Sequence, residues 1–153
     1  MEEQRRKRII LIGRSEAGKT TLCQAMNRED LRYHKTQTVQ IVNKTMIDTP
    51  GEYLERTYMR GALVVTAADA DLVVLVQDAT ENGTMFPPAY TSMYGKPSIG
   101  VVTKTDLATQ EQIERAKKYL TMAGAQRLFF TSSVDGTGIE TLMRELGYED
   151  GIN

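Results

Sequence analysis

The residues best suited to chemistry are Gly13-Arg14-Ser15-Glu16-Ala17-Gly18-Lys19-Thr20, which fit the pattern G-x-x-x-x-G-K-[ST] at every position. Phosphate oxygens need convergent N–H donors and positive charge, and the two glycines allow a tight loop that wraps them. The phosphate-holding set therefore runs over Gly13, Ser15, Glu16, Ala17, Gly18, Lys19, Thr20 and Thr21. Lys19 reaches the outer phosphates of a nucleotide, Thr20 offers a hydroxyl to Mg²⁺, and the helix that opens here aims its positive end at the ligand. A second string, Asp48-Thr49-Pro50-Gly51, lies 28 residues after Thr20. Alone, D-x-P-G is a turn signal. At this distance and after a strand it reads as a switch, with Asp48 a Mg²⁺ partner and the Gly51 N–H a sensor of the γ-phosphate. The third string is Thr103-Lys104-Thr105-Asp106. Its Asp106 can accept two hydrogen bonds from guanine N1–H and the N2 amine, an edge adenine lacks, while the Lys104 stem lies along the base. Ser132 and Ser133 would complete that pocket with backbone N–H groups.

These strings need rigid elements behind them. Apolar runs of β type alternate with helical stretches, the pattern of an α/β fold with a mostly parallel sheet. Strands are expected at about 8 to 12, 39 to 43, 45 to 48, 72 to 77, 98 to 103 and 127 to 131. The first helix runs from Lys19 to about Arg28 with Leu22, Ala25 and Met26 on one face. Another spans about Gln110 to Met122, opened by a Thr109/Gln112 capping box and ended by Gly124. The last covers about 138 to 146, with Ile139, Leu142, Met143 and Leu146 forming its stripe. Residues 53 to 68 read as one helix. Pro87-Pro88 limits Asp78 to Gly95 to a loop with at most a short helix.

Composition bounds the rest. The chain has 153 residues, 19 Lys+Arg against 20 Asp+Glu, and 41% hydrophobic residues, which suits one domain over 1–153 with its own core. A single cysteine, Cys23, permits no internal disulfide and points to a reducing, cytoplasmic setting. One histidine, His34, argues against a histidine-based metal centre. Near-neutral charge disfavours nucleic acid, and the longest aliphatic runs, Ile9 to Ile12 and Leu72 to Val76, are too short for a membrane span. The basic run Arg5-Arg6-Lys7-Arg8 is either a solvated lead-in or a docking point for an acidic partner.

In this order, across nearly the whole chain, the landmarks resemble the GTPase class of P-loop proteins. That implies a Ras-like domain with about six strands, mostly parallel, and helices on both faces. The resemblance makes Thr36 the switch residue that completes the Mg²⁺ shell, with Thr38 as runner-up. Lys19, Thr36, Gly51 and Glu52 become the catalytic set. Glu52 stands where such proteins often carry a glutamine that orients water; a carboxylate there can accept from water but cannot donate to phosphate, so slow hydrolysis is expected. Glu16 stands where potassium-dependent relatives carry asparagine, and it either points to solvent or holds a cation such as K⁺. Lys35-Thr36-Gln37, Ile47-Asp48-Thr49-Pro50-Gly51-Glu52-Tyr53-Leu54 and Thr103-Lys104-Thr105-Asp106-Leu107 resemble, more narrowly, the EutP/PduV family associated with bacterial microcompartments. That likeness implies GTP binding in ethanolamine or propanediol metabolism, with a microcompartment shell or its enzymes as partners. It also raises acetate kinase activity with ATP, or a nucleotide-binding assembly factor, as alternatives.

Overall fold

The computed structural model describes residues 7–34 and 46–147, and for residues 29–34 the backbone path alone. Thr36, Thr38, the strand expected at 39 to 43, Arg5 and Arg6 lie outside the described residues. Five strands are described: β1 (Ile9–Ile12), β2 (Met46–Asp48), β3 (Leu72–Asp78), β4 (Ser98–Thr103) and β5 (Arg127–Phe130). They form one sheet in the order β2-β1-β3-β4-β5, with every neighbouring pair parallel. Parallel strands need crossovers, and these carry helices except between β3 and β4, where a loop with a 3₁₀ turn crosses; five helices are described. These are α1 (Lys19–His34), α2 (Glu52–Glu55), α3 (Arg60–Ala67), α4 (Gln110–Ala123) and α5 (Ile139–Glu145).

Alternation along the central strands divides the core in two. Ile9, Leu11, Val74, Val76 and Val101 face α1 and α5, where Leu22, Met26, Ile139, Leu142 and Met143 meet them. Ile10, Ile12, Val73, Leu75 and Val102 face the other way, against Leu63 and Ala67 of α3 and Ala116, Leu120 and Ala123 of α4. Helix α4 begins with the full capping box between Thr109 and Gln112. It ends at Gly124, whose φ of 106° is the left-handed turn the sequence requires there.

Two elements differ from the sequence expectation. Helix α1 continues to His34, past the expected end near Arg28. The single helix expected over 53 to 68 is two, α2 and α3, separated by extended backbone at Arg56 (φ −100°, ψ 118°) and a 3₁₀ turn over Thr57–Met59. The Arg60 Nε bonds back to the Leu54 carbonyl at 2.8 Å, so a side chain meets a carbonyl at the end of α2 that a continued helix would have bonded. The Asp78 to Gly95 region is a loop ending in a short 3₁₀ helix at Tyr90–Met93, as the proline pair predicts.

Candidate functional site

The strings at 13–20, 48–51 and 103–106 lie at the C-terminal edge of the parallel sheet, where strands hand over to loops. This edge is where open α/β folds place their ligands. Gly13 follows β1 and packs so closely on β3 that a Cβ there would sit 2.7 Å from the Val76 carbonyl oxygen. The loop from Gly13 to Gly18 then turns into α1. Beside it opens a cleft of about 430 Å³ lined by Ser15, Glu16, Gly18, Lys19, Thr20, Thr21 and residues Asp48 to Gly51. Lys19 is only 6% exposed, and its ammonium donates to the carbonyls of Gly13 at 2.7 Å and Arg14 at 2.9 Å. Burial pushes its pKa down, against the opposing pull of Asp48 and Glu55.

The Thr20 hydroxyl donates to Asp48 Oδ2 at 2.6 Å, so the hydroxyl and carboxylate expected to share a cation are neighbours. Both are hard oxygen donors, the kind Mg²⁺ takes. Asp48 is held by the residue after it: the Thr49 hydroxyl bonds the Leu11 carbonyl at 2.7 Å and fastens the end of β2 to β1. Gly51 lies against the phosphate loop, and a Cβ on it would fall 2.1 Å from the Ser15 nitrogen. That approach, rather than positive φ, makes glycine necessary here. Glu52 is exposed and lies outside the cleft lining.

A second pocket, about 200 Å³, is lined by Gly18, Thr21, Thr103, Lys104, Asp106, Leu107, Ser133 and Val134. Gly18 and Thr21 belong to both linings, so the two cavities adjoin at the start of α1. Asp106 sits in a one-turn 3₁₀ helix, Thr105–Leu107, that starts from left-handed Lys104. The apolar rim is exposed, Leu107 at 69% and Val134 at 85%. Ser133 reaches the pocket, whereas Ser132 is buried behind it and its N–H is bonded to the Thr137 carbonyl at 2.9 Å. Of the two serines, Ser133 is the one that lines this pocket. Ala17 is also buried, behind the loop.

Sequence reasoning missed four sets of supporting contacts. The Thr103 hydroxyl donates to the Ala17 carbonyl at 2.6 Å and, at 3.3 Å, to that of Gln77, joining β4 to the phosphate loop and β3. Lys104 Nζ bonds the Glu16 carbonyl at 2.8 Å and Asp78 Oδ2 at 2.9 Å. Burial opposes ionisation of Asp78, but hydrogen bonds from Thr80 and Lys104 outweigh it and keep the carboxyl below its ordinary range. Arg14 pairs with Glu81 at 3.0 Å, which raises the guanidinium pKa. The fourth involves Glu55, whose carboxylate accepts from the Ser15 N–H at 2.5 Å. No motif marks it; four-residue spacing from Gly51 on a helical turn was the one signal present.

Among the described residues no three His, Cys, Asp or Glu side chains gather as metal ligands. None of the described helices is long and apolar enough to cross a membrane.

The family model described as "Ethanolamine utilisation - propanediol utilisation", PduV-EutP, matches residues 6–147. The chain belongs to the PduV-EutP family. It is 45% identical over 136 residues to the Citrobacter freundii "Propanediol utilization protein PduV", covering 89% of this chain and 90% of that one. It is 31% identical over 138 residues to the Escherichia coli K12 protein named "Probable acetate kinase EutP", covering 90% and 87%. Among solved structures, this PduV-EutP member is similar to the FeoB G-domain of Methanococcus jannaschii, with a TM-score of 0.66 and 23% identity over 95% of this chain and 98% of that one. It is also similar to elongation factor SelB of Methanococcus maripaludis, crystallised with the GTP analogue GppNHp, with a TM-score of 0.69 and 21% identity. That match covers 97% of this chain, which spans about a third (34%) of SelB. The fold is therefore the α/β fold of P-loop GTPases.

Proposed function

We propose that this chain is a Mg²⁺-dependent, guanine-nucleotide-binding P-loop NTPase that hydrolyses GTP slowly in ethanolamine or propanediol utilisation. The observation that carries this reading is the continuity of the two cavities through Gly18 and Thr21, with Lys19 and Thr20 on one side and Asp106 on the other. A triphosphate spans that path. The phosphate-loop backbone and Lys19 take the phosphates, and Lys104, Asp106 and Ser133 take the base. Thr20 and Asp48 would hold Mg²⁺, with Thr36 completing the set; the ion supplies charge neutralisation to the phosphates. Catalysis then comes from positioning and electrostatics.

Glu52 gives a reason for low turnover. Its carboxylate is exposed, carries the same sign as the nucleotide, and cannot donate to a phosphate oxygen. Loss of the γ-phosphate would free Thr36 and Gly51, and the rearranged loops would signal to a microcompartment shell or its enzymes. A cytoplasmic setting at such a compartment follows from this reading.

A second reading, acetate kinase with ATP, draws on the name carried by the E. coli relative. The Asp106 pocket favours guanine over adenine. The deciding experiment measures GTP and ATP binding with Mg²⁺, then phosphate release with and without acetate. Tight GTP binding with acetate-independent release is the expected result. ATP consumption that requires acetate would replace this function with the kinase, and binding without turnover would replace it with an assembly role.

A further inference from the structure

The Ser15 N–H is a phosphate-loop donor on the side of the cleft that Gly51 closes. Its partner is a protein carboxylate, Glu55 Oε2 at 2.5 Å. The delivery of that carboxylate is fixed from several directions. Leu54 next to it is buried, the Glu55 N–H bonds the Gly51 carbonyl at 3.1 Å, and Arg60 holds the Leu54 carbonyl. The whole one-turn helix is thus pinned with its last carboxylate on the loop. Its surroundings are those of an anion site. The Ser15 hydrogen bonds come first, and the charges of Arg14 and Lys19 add to them, in keeping the Glu55 carboxyl below its ordinary range.

A backbone N–H donates one strong hydrogen bond, so a second anion can use Ser15 only if the first leaves. Two negative groups at one donor also repel at short range. On the nucleotide reading above, on which this inference rests, the inner phosphates belong to the start of α1, and Lys19 reaches the outer ones. The outermost phosphate lies toward Ser15 and Gly51. We propose that the Glu55 carboxylate is an internal competitor for the terminal phosphate, held by the Ser15 N–H until a triphosphate displaces it, and so sets the preference between di- and triphosphate. Displacement also unpins α2, which couples the third phosphate to the chain segment after Gly51. A diphosphate leaves the contact in place.

The test uses the full chain with Mg²⁺ and calorimetric affinities for GDP and for the slowly hydrolysed analogue GppNHp, in wild type and Glu55→Ala. The GppNHp affinity relative to GDP should rise about tenfold in the variant. A relative rise of about threefold or more supports the proposal; a smaller rise, or a fall, with both nucleotides still bound overturns it and leaves the nucleotide reading standing. Failure of wild type and variant to bind either nucleotide overturns both. If Glu55→Ala does not fold, Glu55→Gln keeps the shape, removes the charge and is judged by the same threshold.

Discussion

Lys104 Nζ donates to the Glu16 carbonyl at 2.8 Å, and both residues hold a left-handed backbone, with φ of 59° and 66°. Non-glycine residues rarely adopt that conformation, and each case costs about 1–2 kcal/mol. The two strained points are therefore fastened to each other, one in the loop from Gly13 to Gly18 and one at the edge of the Asp106 pocket. Asp78 completes the link from the end of β3.

Lys104→Met removes this tie while keeping an aliphatic stem. Two hydrogen bonds disappear, one of them to a carboxylate, from a side chain that is partly exposed. On the proposed function, GTP affinity should fall about tenfold, read by calorimetry, because Lys104 no longer ties the loop at Glu16 to the Asp106 pocket.

On the proposed function, Asp106→Ala removes the acceptor for the guanine edge. Hydrogen bonds to a charged group contribute about 1.5–3 kcal/mol each, so two of them correspond to roughly a hundredfold or more in GTP affinity. ATP affinity should change by less than about threefold. Competition between the two nucleotides for a fluorescent analogue measures both effects at once.

Glu16→Gly replaces a strained residue with one that tolerates positive φ. Relief of about 1–2 kcal/mol is set against the roughly 0.5–1 kcal/mol that glycine costs through the unfolded chain. The apo protein should melt about 1–3 °C higher by calorimetry. If Glu16 also holds K⁺, the variant loses any difference between hydrolysis rates in potassium and sodium salts.

Cys23 should be nearly inert. Burial raises its thiol to about 12, with Asp48 adding and Lys19 opposing. At pH 8 the thiolate is then roughly a thousandfold scarcer than in the unfolded chain, and iodoacetamide labelling should slow accordingly on folding. The unfolded thiol ionises near 9.0 and the folded one near 12, so Cys23 lends stability below pH 9 that is lost as pH rises through 12. Cys23→Ala should flatten that alkaline decline in urea denaturation.

The sequence revealed most of the strands, the phosphate loop, the Asp48 position and the Asp106 turn, because these depend on local spacing and a fixed strand-to-loop handover. It also announced both ends of α4 through Thr109, Gln112 and Gly124. It misjudged the stretch from Tyr53 to Ala68, where composition favours one helix and a side-chain bond from Arg60 back to the Leu54 carbonyl supports two. Glu55 was invisible for a related reason: its partner Ser15 lies 40 residues away, and no periodicity connects them. Ser132 and Ser133 looked equivalent in the string, yet the bridge to Thr137 turns one inward and leaves the other at the pocket.

All the chemistry gathers at one edge of the sheet, which leaves the opposite edge as a handle. Gly95, before β4, has open space around it, and Met93 and Met122 are exposed. A surface tether or an isotope-labelled methyl placed there would sit away from the nucleotide path. The molecule could be immobilised or observed from behind without touching the loops of the candidate site.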